Sequence, residues 1–332
     1  MSIRHIARRP LKANINGSTL REAMGYPEGF VRTWLQENQS ASHALCGTAP
    51  TRLATLVEDP VAPLAQRLAA GSLLALIGDP RLDPLAPAMV SVPSGTWRIG
   101  LHETEAAEIG RRFAPLGVRA DWIAKEIPQH AVTLKAFRIG QYPVTNREFV
   151  AFLEASDWPE IPGSWAFGRF PSERANHPVY SVTPAAADAY AAWLAGATGR
   201  RFRLPSEAEW EIAAGGGNRA FPWGDTFEPE RCNTLELGLL TTTPVGVFPG
   251  GISPYGASDM GGNVEEIVAD EYRPYPGGSV VFDDLGAGGP YRMTRGGGFT
   301  RFHDLARCTR RHGWIGTSLY AIGFRLAEDA AP

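Results

Sequence analysis

The chain has 332 residues, 44% of them hydrophobic and 20% charged, enough to bury one large core and a small second one. A formal net charge of -3 with no basic block excludes a nucleic-acid footprint, and no apolar run is long enough to span a bilayer. Cysteines at 46, 232 and 308 make neither a disulfide ladder nor a C-x-x-C metal knuckle, and Met1 to Leu20 lacks the apolar core of a signal peptide; the expectation is a cytoplasmic protein. The first segment reads as helical. Ser18 or Thr19 can cap LREAMG, and Glu28 to Gln39 spaces Phe30, Val31, Trp34 and Leu35 as on one helix face. Ala62 to Ile77 is amphipathic and stops at Gly78-Asp79-Pro80. It predicts a helical extension over 1–85, packed on the main domain; a docking module for a protein partner is the alternative.

From Met89 the pattern changes to strands, with MVSVPSGTWRIG and, after the charged stretch His102 to Lys125, HAVTLKAFRIGQYPVT. That stretch reads as a surface excursion. Thr145 with Glu148 forms a capping box ahead of a helix over Asn146 to Glu154, and Trp158 to Asn176 is a loop rich in proline and aromatics. His130 and His177 are expected to satisfy backbone groups rather than bind metal. Thr183 caps a helix with Pro184 in its first turn and Ala186, Tyr190, Trp193 and Leu194 on one face, ended by Gly196 and Gly199. Arg201 to Leu204 suits a short half-buried strand. Ser206 with Glu209 caps a second helix over Glu207 to Ala214.

The run NHPVYSV followed by RLPSEAEWEIAA resembles the formylglycine-generating enzyme (sulfatase-modifying factor) family. IGQYPVTNREFVAFL, FPWGD, TTPVGVFPGGISPYGASDMGGNVEE, RGGGF and IGFRLA follow that family's order. The resemblance covers 86–332 and implies an α+β, C-type-lectin-like domain, loop-rich and held by small twisted sheets. In the family's ergothioneine-pathway oxygenases an N-terminal bundle supplies histidines to iron. Here that segment holds His5 and His43 with no H-x3-H pair, which argues against the same chemistry.

The family also holds calcium through loop oxygens. Carried over by position, one site falls on Asp259, Gly262, Val264 and Glu266, and a second on Asn233 and Thr234 with Glu236 as an extra oxygen. Glu265-Glu266-Ile267 replaces the usual aromatic-Glu-aromatic triplet, and a loop braced by Asn263 without an ion is the alternative.

The segment RMTRGGGFTRFHDLARCTRRHGW occupies the place where formylglycine-generating enzymes carry a copper-binding cysteine pair. The first of that pair aligns with Arg301, the second has no counterpart, and Cys308 falls at a structural position. Without two thiolates there is no soft Cu(I) site, so formylglycine formation is not expected. One reading of what remains is an iron or copper oxidase with ligands from His303, His312 and Asp304. The other is a cleft in which Arg301 with Arg310 or Arg311 clamps a carboxylate or phosphate between Trp314, Tyr320 and Phe299. The expected function is an oxygen-dependent, non-haem metal oxidoreductase acting on a peptide or amino-acid-derived small molecule; the alternative is a non-catalytic ligand- or protein-binding module.

Overall fold

The computed structural model describes residues 11, 15, 17–27, 29, 35–281, 290–316 and 319–330, with backbone alone for 35–39. His5 and most of the expected Glu28–Gln39 helix lie outside these residues. Helices α1 (Leu20–Ala23), α2 (Leu35–Leu45), α3 (Pro50–Val57) and α4 (Leu64–Ile77) form the N-terminal part. Leu53, Val57, Leu64, Leu68 and Leu74 pack against Leu237, Leu239, Val247 and Phe248 of the body. Gly71 permits this contact, because a Cβ there would stand 2.6 Å from the Pro244 ring. Polar links fix the seam: Arg81 binds Asp79, Glu58 and the Val245 carbonyl, and Asn176 donates to the Gly71 carbonyl and Asp79.

The body mixes short sheets with helices. Strands β1 (Met89–Val92) and β4 (Phe137–Gly140) join β10 (Ala327–Asp329) and β5 (Phe202–Arg203) in the order β1-β4-β10-β5, all antiparallel. β2 (Gly95–Ile99) and β3 (His130–Leu134) form a separate ribbon. The third sheet runs β8 (His312–Gly313), β7 (Arg292–Arg295), β6 (Glu265–Glu271), β9 (Ile322–Phe324), with β6 and β9 parallel. Helices α7 (Asn146–Ala155) and α8 (Pro184–Thr198) bury Phe149, Phe152, Tyr190 and Leu194 against Phe324 and Ile322. α9 (Glu207–Gly215) buries Trp210 and Ile212 with Ile139 and Met260 in a second core. Both capping boxes form: Thr145 accepts from the Glu148 N–H, Ser206 from the Glu209 N–H, and each glutamate returns the bond.

The charged stretch departs from the expected surface excursion. It folds into α5 (Glu103–Phe113) and α6 (Ala120–Ile123) around Leu101, Ala106, Phe113, Val118 and Ile123, and then inserts Lys125 and Glu126, 3% and 0% exposed, beneath the segment that follows β7. Both read as solvated from sequence and are buried here because distant groups receive them: Arg307 takes Glu126, and the Lys125 ammonium donates to the Tyr291 hydroxyl at 2.9 Å and lies over the Tyr272 and Tyr291 rings. His130 Nδ1 meets the Pro128 carbonyl, whereas His177 Nδ1 meets the Thr242 hydroxyl and burial pushes that ring down to about 3. Among the described residues no helix is long and apolar enough to cross a membrane.

Candidate active site

The segment after β7 is pinned by its glycines. Gly297 has φ +67, and a Cβ there would lie 2.8 Å from Leu305, so the chain can fold back on itself only without a side chain. Successive turns then bury Arg301, Asp304, Arg307, Arg310 and Arg311.

Most of these arginines are consumed internally. Arg311 grips Glu207 through Nε and Nη2 at 2.8 and 2.7 Å, donates to the Lys125 and Arg273 carbonyls, and lies 3.9 Å over the Tyr275 ring. It is therefore not available as the expected substrate clamp. Arg307 closes its two Nη groups on Glu126, each at 2.7 Å. Arg310 directs Nη1 to the Arg311 and Trp122 carbonyls and stands 4.0 Å from Glu126.

Arg301 differs. It is 5% exposed, its guanidinium sits 5.2 Å over the Tyr320 ring, and Nε and Nη1 are buried without a hydrogen-bond partner among the described residues. Asp304, also 5% exposed, makes no side-chain hydrogen bond among those residues; burial holds its carboxyl above the usual range against the pull of Arg310, Arg301 and Arg307. Burial likewise pushes the Tyr320 phenol up to about 12, partly offset by Arg301. The fold thus brings together Arg301, Asp304, Tyr320 and Arg310, all named from sequence.

The histidines are handled separately. His303 Nδ1 is 2.7 Å from Glu236 Oε1, and its ring stacks on Phe227 at 4.0 Å and meets Phe113 edge-on at 5.0 Å. Burial would raise the Glu236 carboxyl, but the His303 contact holds it below the ordinary range. His312 Nδ1 is 3.0 Å from Glu265 Oε2, and its ring lies 4.5 Å from that of Tyr320. The triad expected from His303, His312 and Asp304 therefore does not assemble: each histidine has its own glutamate, and among the described residues no group of three or more His, Cys, Asp or Glu could hold a metal ion. Cys232 and Cys308 are buried, and burial pushes both thiols far up.

Two expected walls face elsewhere. Trp314 Nε1 donates to the Val182 carbonyl at 3.1 Å, and Phe299 packs edge-on against Tyr180 beside Val264 and Ala321. Sequence reasoning missed Glu126 and Arg307 as partners, for which no local signal exists. Glu265 had one, being a carboxylate where the family pattern has an aromatic.

At the expected calcium loop, Glu266 does other work: Arg325 takes both its oxygens at 2.6 Å and Trp210 Nε1 adds a bond at 2.6 Å. Asp259 accepts from the Gly246 N–H, and burial pushes its carboxyl up to about 6. The Gly262 N–H donates to the Gly296 carbonyl, a Cβ added at Gly262 would lie 2.8 Å from the Asn233 carbonyl oxygen, and the Val264 side chain is fully buried. Asn263 braces Thr243 through both amide atoms. In the neighbouring loop, Asn233 Oδ1, Thr234 Oγ1, Glu236 Oε2, Thr241 Oγ1 and Thr243 Oγ1 are buried with no hydrogen-bond partner among the described residues.

The profile of the sulfatase-modifying factor enzyme 1-like domain matches residues 78–330. The chain is 34% identical to hercynine oxygenase of Mycolicibacterium thermoresistibile over 293 residues, covering 74% of this chain and 63% of that protein. It is 32% identical to formylglycine-generating enzyme of Thermomonospora curvata over 319 residues, covering 75% of this chain and 97% of that one. It thus spans under two thirds of the hercynine oxygenase's length. Among solved structures, PvdO from Pseudomonas aeruginosa superposes with a TM-score of 0.56 at 28% identity, covering 74% of this chain and 95% of that chain. With the profile matched over most of its length, this chain belongs to the sulfatase-modifying factor enzyme 1-like domain family.

Proposed function

We propose that this chain is an oxygenase-type member of its family that binds a carboxylate-bearing, amino-acid-derived small molecule or peptide at the Arg301 site, and that it does not form formylglycine. One observation carries the reading: among the described residues, the buried Arg301 guanidinium and the buried Asp304 carboxyl beside it make no side-chain hydrogen bond. An unpaired buried guanidinium costs several kcal/mol, so a ligand that completes it is strongly favoured. A ligand carboxylate would take the Arg301 N–H groups, Asp304 would accept from an ammonium or amide N–H of the same molecule, and Tyr320 would line the contact. Identity to hercynine oxygenases supports the oxygenase class.

The described residues do not fit an iron or copper centre on their own. That separation of His303 from His312 favours the second reading, a ligand-binding module without turnover. We further infer a C-type-lectin-like fold, a domain boundary near residue 85 and a cytoplasmic protein. A calcium ion would fit the Asn233–Thr243 loop, where unpartnered oxygens suit a hard cation; raising calcium after chelation should raise the melting temperature, and less so in Asn233→Leu. For the site itself, oxygen uptake is measured with hercynine plus a thiol after loading with ferrous iron, beside calorimetric binding of small carboxylates. Uptake lost in Arg301→Leu supports the oxygenase; carboxylate binding without uptake supports the module; no binding of any carboxylate removes both.

A further inference from the structure

We propose that Glu236 is a positioning residue for the Arg301 site, fixing the backbone from which Arg301 and Asp304 project; the inference rests on the carboxylate reading above. Two consecutive residues of the neighbouring loop grip the segment. The Leu235 N–H donates to the Arg301 carbonyl at 2.9 Å, and Glu236 Oε1 accepts from the His303 N–H at 3.1 Å. The same carboxylate oxygen lies 2.7 Å from His303 Nδ1. Within the segment, the Arg301 N–H donates to the Gly298 carbonyl at 3.0 Å, and the Ala306 N–H to the His303 carbonyl at 3.1 Å. The N–H and carbonyl of Arg301 and of His303 are thus all engaged. Of these four backbone groups, the His303 N–H is the one held by a side chain, so Glu236 is the tie that one substitution can cut.

The His303 ring completes the anchor. It stacks on Phe227 at 4.0 Å with the planes 17° apart and meets Phe113 edge-on at 5.0 Å, so the imidazole is held by aromatic rings and by a carboxylate together. Sequence placed Glu236 beside Asn233 and Thr234 as an extra calcium oxygen; in the fold its Oε1 serves His303. Arg301 lies two residues before His303 and Asp304 one residue after it. A turn free to shift at His303 would present the guanidinium and the carboxyl in many relative arrangements, and a ligand engaging both would have to order them at a cost in affinity. Holding the turn beforehand removes that cost.

The test titrates the full chain calorimetrically with glutaramate, which carries one carboxylate and one amide N–H donor. Glu236→Ala should weaken binding about tenfold, and Glu236→Gln, whose amide carbonyl still accepts from the His303 N–H, should bind within about threefold of wild type. Loss in the Ala variant with rescue in the Gln variant supports the proposal. Unchanged affinity in a Glu236→Ala protein with wild-type circular dichroism overturns it, and so does a tenfold loss in both variants, which would make the charge and not the tie to His303 the source. An affinity loss that excess calcium restores also overturns it, because Glu236 would then act as a calcium oxygen. Trp314→Phe controls for stability alone: an equal affinity loss there, at an equal fall in melting temperature, would show affinity following stability and overturns the proposal. If Glu236→Ala does not fold, His303→Phe keeps the stack on Phe227, removes Nδ1 and must lower affinity by about threefold or more; no change overturns the proposal. Failure of wild type to bind glutaramate removes the carboxylate reading itself, and this inference with it.

Discussion

Arg325 and Arg301 are both buried, at 0% and 5% exposure, yet their surroundings are opposite. Arg325 gives Nε and Nη2 to Glu266, Nη1 to the Gly140 carbonyl and Nη2 also to the Ser258 carbonyl. Arg301 gives its guanidinium to no described group. Burial of a charge is tolerated when its hydrogen bonds are completed, so folding alone accounts for Arg325. It does not account for Arg301, and the ligand site proposed above rests on that difference.

The comparison breaks first at its saturated end. Glu266→Ala leaves Arg325 buried without a counter-ion and also strips the Trp210 N–H of its acceptor. Removing one partner of a buried pair costs about 3–5 kcal/mol, so urea denaturation should show a loss of that size. A loss under about 1 kcal/mol would mean that saturation is not what holds Arg325, and the contrast with Arg301 would lose its basis.

Glu148 sharpens the same contrast from the acid side, since among the described residues it is a buried carboxyl bonded to Thr145 and to no arginine. Burial pushes it up to about 7, partly offset by the Thr145 bonds. Raised above its ordinary value of 4.5, the group contributes stability that is full below about pH 4.5 and lost as pH rises through about 7. The loss amounts to roughly 3 kcal/mol at most. Denaturation midpoints across pH 5 to 8 should fall in wild type and flatten in Glu148→Gln; equal slopes in the two proteins would contradict the assignment.

At the unsaturated end the effects separate. Arg301→Leu removes a charge that nothing described completes, so stability should stay level or rise. Carboxylate affinity should fall by about 10- to 100-fold, the loss of one charge-assisted contact. Calorimetry and thermal melts on one preparation decide it: a large stability loss with unchanged affinity would make Arg301 structural like Arg325.

What could be read from sequence was local. The Thr145/Glu148 and Ser206/Glu209 boxes form because both partners lie within one helical turn, and Gly199, φ +67, ends α8 as its position suggests. Arg301, Asp304 and Tyr320 stand out in sequence only as polar or aromatic residues in or near the segment where the family resemblance places chemistry; the role proposed for them rests on their burial in the fold. Pairings between distant residues were not legible. Glu126 and Arg307 lie 181 positions apart, and Glu207 and Arg311 lie 104 apart; nothing in a charged stretch reveals which side chain will be received by which. The same blindness made Arg311 look like a clamp and Glu266 like a calcium ligand, because sequence shows a charge but not what neutralises it.

Trp314 provides the smallest test and the cleanest division between the two kinds of residue. From sequence it is a candidate stacking wall; in the fold its indole N–H donates to the Val182 carbonyl while its ring lies partly buried against the larger core. Phenylalanine keeps much of that packing and removes the donor, so Trp314→Phe should cost about 1 kcal/mol, the net worth of one hydrogen bond. Because Trp314 is tied to the α8 side and not to Arg301, carboxylate affinity should stay within about twofold of wild type. A drop of tenfold or more in affinity at unchanged stability would return Trp314 to the site, and would show that the ligand extends beyond Arg301, Asp304 and Tyr320 toward the helix.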